Sequence, residues 1–278
     1  MGVDPVRITR ADMPEVVAGE YMEEIRHALT QQPRSQQVAI GPSEIGNPCS
    51  RALIHKLAGD PEPARQLGSP DEWRAWVGTQ MHNGLQRIFD RSVLNQTAAG
   101  ARYITERRLL VGHINGTEIH GSCDLYDQAS RTVIDHKTKS ATRLKAVKLA
   151  VARGHGVGDL YRAQAHLYGR GWQLLGHTPH HVMLVFLPRD GNLTDALHWA
   201  EPYDETIATA ALDRCTGLAQ LIAALGVAAT LDLYPDECAD DYCAWCRSAP
   251  RKFSTPSQQP TSKQLLASLR AGTVPAPN

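Results

Sequence analysis

Residues 121–137, Gly-Ser-Cys-Asp-Leu-Tyr-Asp-Gln-Ala-Ser-Arg-Thr-Val-Ile-Asp-His-Lys, constrain the fold more than any other stretch of this 278-residue chain. An alternating run ends near Tyr126, a polar turn covers 127–131, and an apolar strand begins at Thr132. That pattern predicts a β-hairpin. The second strand then carries Asp135 and Lys137 straight after its apolar residues. Residues two apart share a strand face, so both side chains are expected to point the same way, with Asp124 of the partner strand in reach. Two carboxylates and an ammonium on one face are costly to bury unless they pair or hold a metal. Oxygen donors suit Mg²⁺ or Mn²⁺, and a lysine can steady a nucleophilic water or developing negative charge. Taken singly, Asp124 reads as a turn acid and Lys137 as a solvated strand end.

The flanking sequence predicts a mixed α/β or α+β domain. Residues 9–31 have Val16, Val17, Tyr21, Ile25 and Leu29 at helical spacing, and a second helix is expected over 48–57, stopping at Gly59. Ser69-Pro70-Asp71-Glu72 is a capping box opening a helix to about Phe89, with Trp73, Trp76, Val77, Leu85, Ile88 and Phe89 as its apolar side. Strands are expected at 103–111 and 118–126, and a basic helix at 141–153. The Gly-rich break at 154–158 lacks the preceding strand and the Lys-Ser/Thr of a phosphate loop. Further on come a helix at 159–175, a strand at 180–187, a helix at 203–225, a cysteine-bearing segment from Pro235, and a tail at 249–278 rich in Pro, Ser, Gln and Ala.

Lysines plus arginines equal aspartates plus glutamates, 29 each, so net charge argues for no particular partner. The distribution does. No acid lies between Asp135 and Asp159, where Lys137, Lys139, Arg143, Lys145, Lys148 and Arg153 all fall. Local basic patches of this kind can contact phosphates, although many are only solvated faces. The chain has no apolar run long enough to span a bilayer and no signal-peptide core at its start, so a cytoplasmic location and no membrane partner are expected.

His82 lies on the capped helix and Glu106 in the first expected strand, and Gln164 and Tyr168 share a helix face. An amide and an aromatic ring so placed can hydrogen-bond and stack on a nucleotide. The order His82, then Gly121-x-x-Asp124, then Asp135-x-Lys137, then Gln164-x-x-x-Tyr168 resembles the RecB-type nucleases of the PD-(D/E)-x-K superfamily. The resemblance covers roughly residues 43–246, with Cys123 rather than Pro before the first Asp. It implies a restriction-endonuclease-like mixed sheet flanked by helices. It further implies that His82, Asp124, Asp135 and the carbonyl of His136 hold Mg²⁺ or Mn²⁺, with Glu106 as an additional acidic ligand. Lys137 would activate the attacking water, and Gln164 and Tyr168 would contact DNA. Arg51, Lys139 and Arg143 are the basic residues expected to join them.

Of six cysteines, Cys123 and Cys215 read as buried structural thiols. Cys238-x4-Cys243-x2-Cys246 can bring three thiolates to one centre, with Cys49, at a helix start, as the fourth. One upstream and three C-terminal cysteines resemble the iron–sulfur staple of AddB-type and CRISPR-adaptation nucleases, which implies a [4Fe–4S] cluster tying the chain's ends. Four thiolates also satisfy tetrahedral Zn²⁺.

The expectation is therefore a metal-dependent DNA exonuclease acting at DNA ends or on single strands, in recombination, end processing or spacer capture beside recombination or CRISPR-adaptation proteins. The alternative is a catalytically weak nucleic-acid-binding or assembly protein that keeps the fold. Its expected parts are a helical region at 1–68 contributing Cys49, a nuclease core at 69–233, a Cys-rich staple at 234–248 and a basic tail at 249–278.

Overall fold

The computed structural model describes residues 13–30, 39–61, 70–96, 100–235, 238 and 243–248. Four helices come first: α1 (Met13–Thr30), α2 (Pro42–Ile45), α3 (Ser50–Ala58) and α4 (Pro70–Asp90). Strands β1 (Tyr103–Ile114), β2 (Thr117–Asp127) and β3 (Thr132–Lys139) follow, then α5 (Ala141–Ala152), α6 (Asp159–Leu174), β4 (His181–Pro188) and β5 (Leu197–Pro202). The described chain closes with α7 (Glu205–Leu225), α8 (Val227–Asp232) and α9 (Ala244–Ser248). Ser69 and the tail at 249–278 lie outside the described residues, as does the Glu72 side chain of the expected capping box.

The five strands form one sheet in the order β1-β2-β3-β4-β5. β3 and β4 are parallel and every other neighbouring pair is antiparallel. The single parallel pair requires a crossover, which α5 and α6 supply. The result is the mixed α+β fold expected, a mixed sheet flanked by helices.

The first hairpin runs further than its apolar residues suggest, because Asn115 and Gly116 both adopt positive φ (47° and 83°). Two such residues in a row make the tight turn whose twist matches antiparallel strands. The expected strands at 103–111 and 118–126 therefore extend to meet at that turn. β5 goes unread in the sequence. It is an edge strand of six residues ending in Pro202 and, among the described residues, pairs only with β4. The last long helix starts at Glu205 rather than Tyr203, because the Asp204 side chain accepts from the Thr206 N–H and caps it.

The core lies between the sheet and α6 and α7. Trp172 stacks on Tyr126 with ring centroids 4.5 Å apart, and Val133, Val182, Leu184, Phe186 and Leu212 pack around them. Gly171 allows the approach: a Cβ there would meet the Leu109 side chain at 2.8 Å. Ile45, Leu53 and Ile54 of the N-terminal helices join the same cluster. Cys123 and Cys215 are fully buried. Two residues expected on the apolar side of α4 are not: Trp73 is 49% and Ile88 65% exposed. The inward face of α4 is instead the one carrying His82 and Phe89, seven residues and so two turns apart.

The turn between β2 and β3 is fastened by Asp127. Its carboxylate accepts from Arg102 Nε and Nη2 at 2.9 and 2.8 Å, from the Ala129 N–H at 3.1 Å and from Ser130 Oγ at 2.8 Å. The Arg102 hydrogen bond, helped by Ser130 and Ala129 and opposed by burial, holds this carboxyl below its ordinary range. Replacing Asp127 by Ala is expected to cost about 1–3 kcal/mol of stability. Because the folded-state pKa is depressed, this contribution is present above the ordinary Asp pKa and is lost as pH falls through the lowered value. Denaturant unfolding of wild type and Asp127→Ala at neutral and acidic pH checks both: the difference should shrink in acid.

Candidate metal and nucleic-acid site

β2 and β3 pair through Asp127–Thr132, Tyr126–Val133 and Leu125–Ile134, and no farther. Extending that register sets Asp124 opposite Asp135. Instead of continued pairing, the Asp124 side chain turns into the opening, where Oδ2 accepts the His136 N–H at 2.6 Å. Oδ1 lies 3.1 Å from His82 Nδ1, so α4 reaches the same carboxylate. Burial raises the pKa of Asp124, but the His82 hydrogen bond, the His82 charge and the His136 N–H outweigh it and leave the carboxyl below its ordinary range. In return, the hydrogen bond to Asp124 raises His82, against its burial.

Glu106 joins from β1. It has φ 45°, a left-handed conformation rare for a side-chain-bearing residue inside a strand. The donor atoms of His82, Glu106 and Asp124 all lie within 4.8 Å of one another. The structure thus brings together three of the expected ligands. Asp135 stands outside this tight set, although its carboxyl and that of Asp124 influence each other electrostatically.

Asp135 is instead engaged by Lys137, whose Nζ lies 2.7 Å from Oδ2. That oxygen is fully buried, and this ion pair is not matched by an aligned hydrogen bond among the described residues. Burial is the largest influence on this carboxyl, ahead of the opposing Lys137 charge, and pushes it up to about 6. Lys137 also donates to Gln164 Oε1 at 2.7 Å, and Gln164 Nε2 donates to Tyr168 OH at 3.3 Å. Burial and then the Asp135 charge drive the Tyr168 phenol well above its ordinary pKa. His136 projects from the opposite face of β3, its ring stacking on Phe89 at 6.0 Å, meeting the His82 ring edge-on at 6.1 Å and bringing Nδ1 to 3.7 Å from Asp124 Oδ2.

Of the other basic residues, Lys139 donates to the Tyr161 hydroxyl, with its ammonium 4.6 Å from that ring's centroid. Arg143 is exposed on α5. Arg51 sits apart from this group: its Nη1 donates to the carbonyls of Leu231 and Tyr234 at 3.3 and 2.9 Å, fastening α3 to the end of α8. Tyr161, not among the expected site residues, stands three residues before Gln164 and so on the same helix face.

The second cluster is made of Cys49, Cys238, Cys243 and Cys246, whose sulfurs all lie within 4.8 Å of one another. Cys49 Sγ is 3.6 Å from Cys246 Sγ and 3.8 Å from Cys243 Sγ. Burial pushes the Cys49 thiol up to about 11, although the Ala52 N–H at the start of α3 donates to it. Burial also opposes the Cys243 thiolate, but hydrogen bonds from Cys246 and neighbours leave its pKa lowered. Trp245 stacks on His55 of α3 with centroids 4.2 Å apart. Arg214 of α7 holds the approach to Cys49, donating to the Asn47 and Pro48 carbonyls at 2.7 and 2.9 Å. Sequence gave no signal for either contact, since each joins residues more than 160 positions apart.

No family model matches the chain, and no curated protein is significantly similar to it. Among solved structures, it overlaps SSO0001 at 18% identity over 87% of this chain and 99% of that one, with a TM-score of 0.44. It overlaps LHK-Exo, solved in complex with dAMP, at 12% identity over 72% and 96%, with a TM-score of 0.45. A phage-related exonuclease from Haemophilus somnus 129PT overlaps at 15% identity over 67% and 96%, with a TM-score of 0.36. Overlaps this loose carry no argument about activity.

If Arg51 fastens the cysteine centre, Arg51→Ala should loosen it. The expected outcome is that Cys49 and its neighbours react with a thiol reagent at least severalfold faster than in wild type. Equal labelling rates would place the guanidinium's role elsewhere.

Proposed function

We propose that this chain is a divalent-metal-dependent deoxyribonuclease of PD-(D/E)-x-K type, working as an exonuclease at DNA ends or on single strands. The single observation that carries the reading is Lys137, held between Asp135 and Gln164 beside a carboxylate, Asp124, that His82 and a backbone N–H already orient. A fold-stabilising ion pair has no use for an oriented second carboxylate beside it.

The donor set fits a hard cation. Asp124, Glu106 and His82 converge, and Asp135 Oδ2 is a buried carboxylate oxygen that has an ion pair but no aligned hydrogen bond among the described residues. Asp124, Asp135, Glu106, His82 and the His136 carbonyl would hold Mg²⁺ or Mn²⁺. Such an ion, when bound, lowers the pKa of a water and neutralises phosphate charge. Lys137 offers its ammonium to the charge that builds on the phosphoryl group. Gln164 fixes that ammonium, and Tyr168 in turn fixes Gln164. The resemblance in sequence implies attack that leaves a 5′-phosphate and a 3′-hydroxyl.

The four cysteines fit a thiolate-bound metal centre that staples the N-terminal helices to the C-terminal segment. Two readings of its metal stand. The resemblance favours [4Fe–4S]. The sulfur separations favour Zn²⁺: a Zn–S bond of about 2.3 Å gives tetrahedron edges of about 3.8 Å, against the 3.6 and 3.8 Å present. A four-iron cluster would need the sulfurs spread wider. Visible absorbance and metal analysis of the purified protein decide this, a brown iron-containing protein meaning the cluster and a colourless zinc-containing one the single ion.

Incubation with end-labelled single-stranded and duplex DNA and Mn²⁺ tests the activity. Wild type should degrade both or one of them, and a chelator should stop it. Asp135→Ala and Lys137→Ala should each lose activity by roughly 10²-fold or more. DNA binding without cleavage in any divalent metal would instead make this a nucleic-acid-binding protein that keeps the fold.

A further inference from the structure

β3 and α6 face one another in three matched rungs. Asp135 stands by Tyr168 electrostatically, Lys137 donates to Gln164, and Lys139 donates to Tyr161. Residues 161, 164 and 168 lie on one helix face, while 135, 137 and 139 lie on one strand face, about 6.6 Å between successive members. The first two rungs belong to the site already described. The third does not.

Its charge balance differs from that of the second. Lys137 has the Asp135 carboxylate beside it. The Lys139 ammonium is met by a phenol hydroxyl and a ring face, with no carboxylate partner among the described residues. Arg189 is tied to this strand end through its backbone, while its guanidinium turns to α4. Its N–H donates to the Lys139 carbonyl at 2.8 Å, and its Nη1 to the Arg74 carbonyl at 3.4 Å. The neighbouring acid, Asp190, forms no ion pair with Lys139 among the described residues, and its Oδ1 accepts the Ala141 N–H at 2.7 Å. A positive group held by a neutral partner, one rung along from Lys137, complements a phosphate adjoining the one held there.

We propose that Lys139, positioned by Tyr161, is a subsite for the phosphodiester next to the scissile one in a bound DNA strand. The assignment of that strand as substrate rests on the nuclease reading; the phosphate contact itself does not. Tyr161 is a positioning residue, its ring and hydroxyl setting where the ammonium points.

The test is binding of a fluorescent single-stranded DNA oligonucleotide to the full chain across a salt series, with Ca²⁺ in place of Mn²⁺. Lys139→Gln should weaken binding about two- to fivefold, the share of one half-exposed ion pair. It should also lower the slope of log affinity against log salt by about 0.7, one single-strand phosphate contact. Lys139→Arg should restore the slope, and Tyr161→Phe should weaken binding while the melting temperature holds. An unchanged slope in Lys139→Gln overturns the subsite. So does an equal fall in Lys145→Gln on the exposed side of α5, or a wild type that does not bind. Wild type that binds with this slope yet never cleaves sinks the nuclease reading and leaves the subsite standing. Cleavage with an unaltered slope in Lys139→Gln does the reverse.

Discussion

The early parting of β2 from β3 shapes the candidate site. Their ladder stops at Leu125–Ile134, whereas β3 stays paired with β4 along its whole length. An unpaired backbone N–H in a buried place costs free energy, and the Asp124 carboxylate satisfies that of His136. One side chain thereby closes the gap, becomes oriented, and presents its other oxygen to His82. A fully paired ladder would have no room for a carboxylate between the strands. The opening that looks like a defect of the sheet is what makes a cation site possible.

Around that opening each charged group is held by a partner from a different element: His82 from α4, Glu106 from β1, and Gln164 and Tyr168 from α6. Such convergence is expensive in desolvation, as the raised Asp135 carboxyl records. Folding alone gives no return for it, since an apolar strand end would pack at lower cost. The strained backbone at Glu106 points the same way, because a left-handed residue in a strand persists only where its surroundings hold it.

Much of this was legible in the sequence because it is written in local spacing. Asp-x-Lys on a strand, Gln-x-x-x-Tyr on a helix and three close cysteines each fix a shared face or a shared turn before any tertiary contact forms. What stayed hidden depends on distant partners. β5 is short, and its apolar alternation is confined to Leu197 and Trp199, too brief to mark a strand before β4 is known to lie beside it. Arg51 was read as a DNA contact from its charge, yet its guanidinium serves carbonyls some 180 positions away. Trp73 and Ile88 belong to the expected apolar side of α4, but which face of that helix turns inward is decided by the sheet it meets.

The acid-free stretch after Asp135 shows why a charge run cannot be read as one thing. Its first members, Lys137 and Lys139, sit on a strand face covered by α6 and are gripped by Gln164 and Tyr161. Arg143 and Lys145, a few residues on, lie exposed on α5. The sequence shows four similar cations; the fold divides them at Ser140, where the strand ends and its hydroxyl caps the helix. Before that boundary a positive charge is fixed in direction and shielded from water, where an anion feels it strongly. Beyond it the charges are screened and general. The boundary, more than the number of lysines, separates a place that can select a phosphate from a surface that merely attracts one.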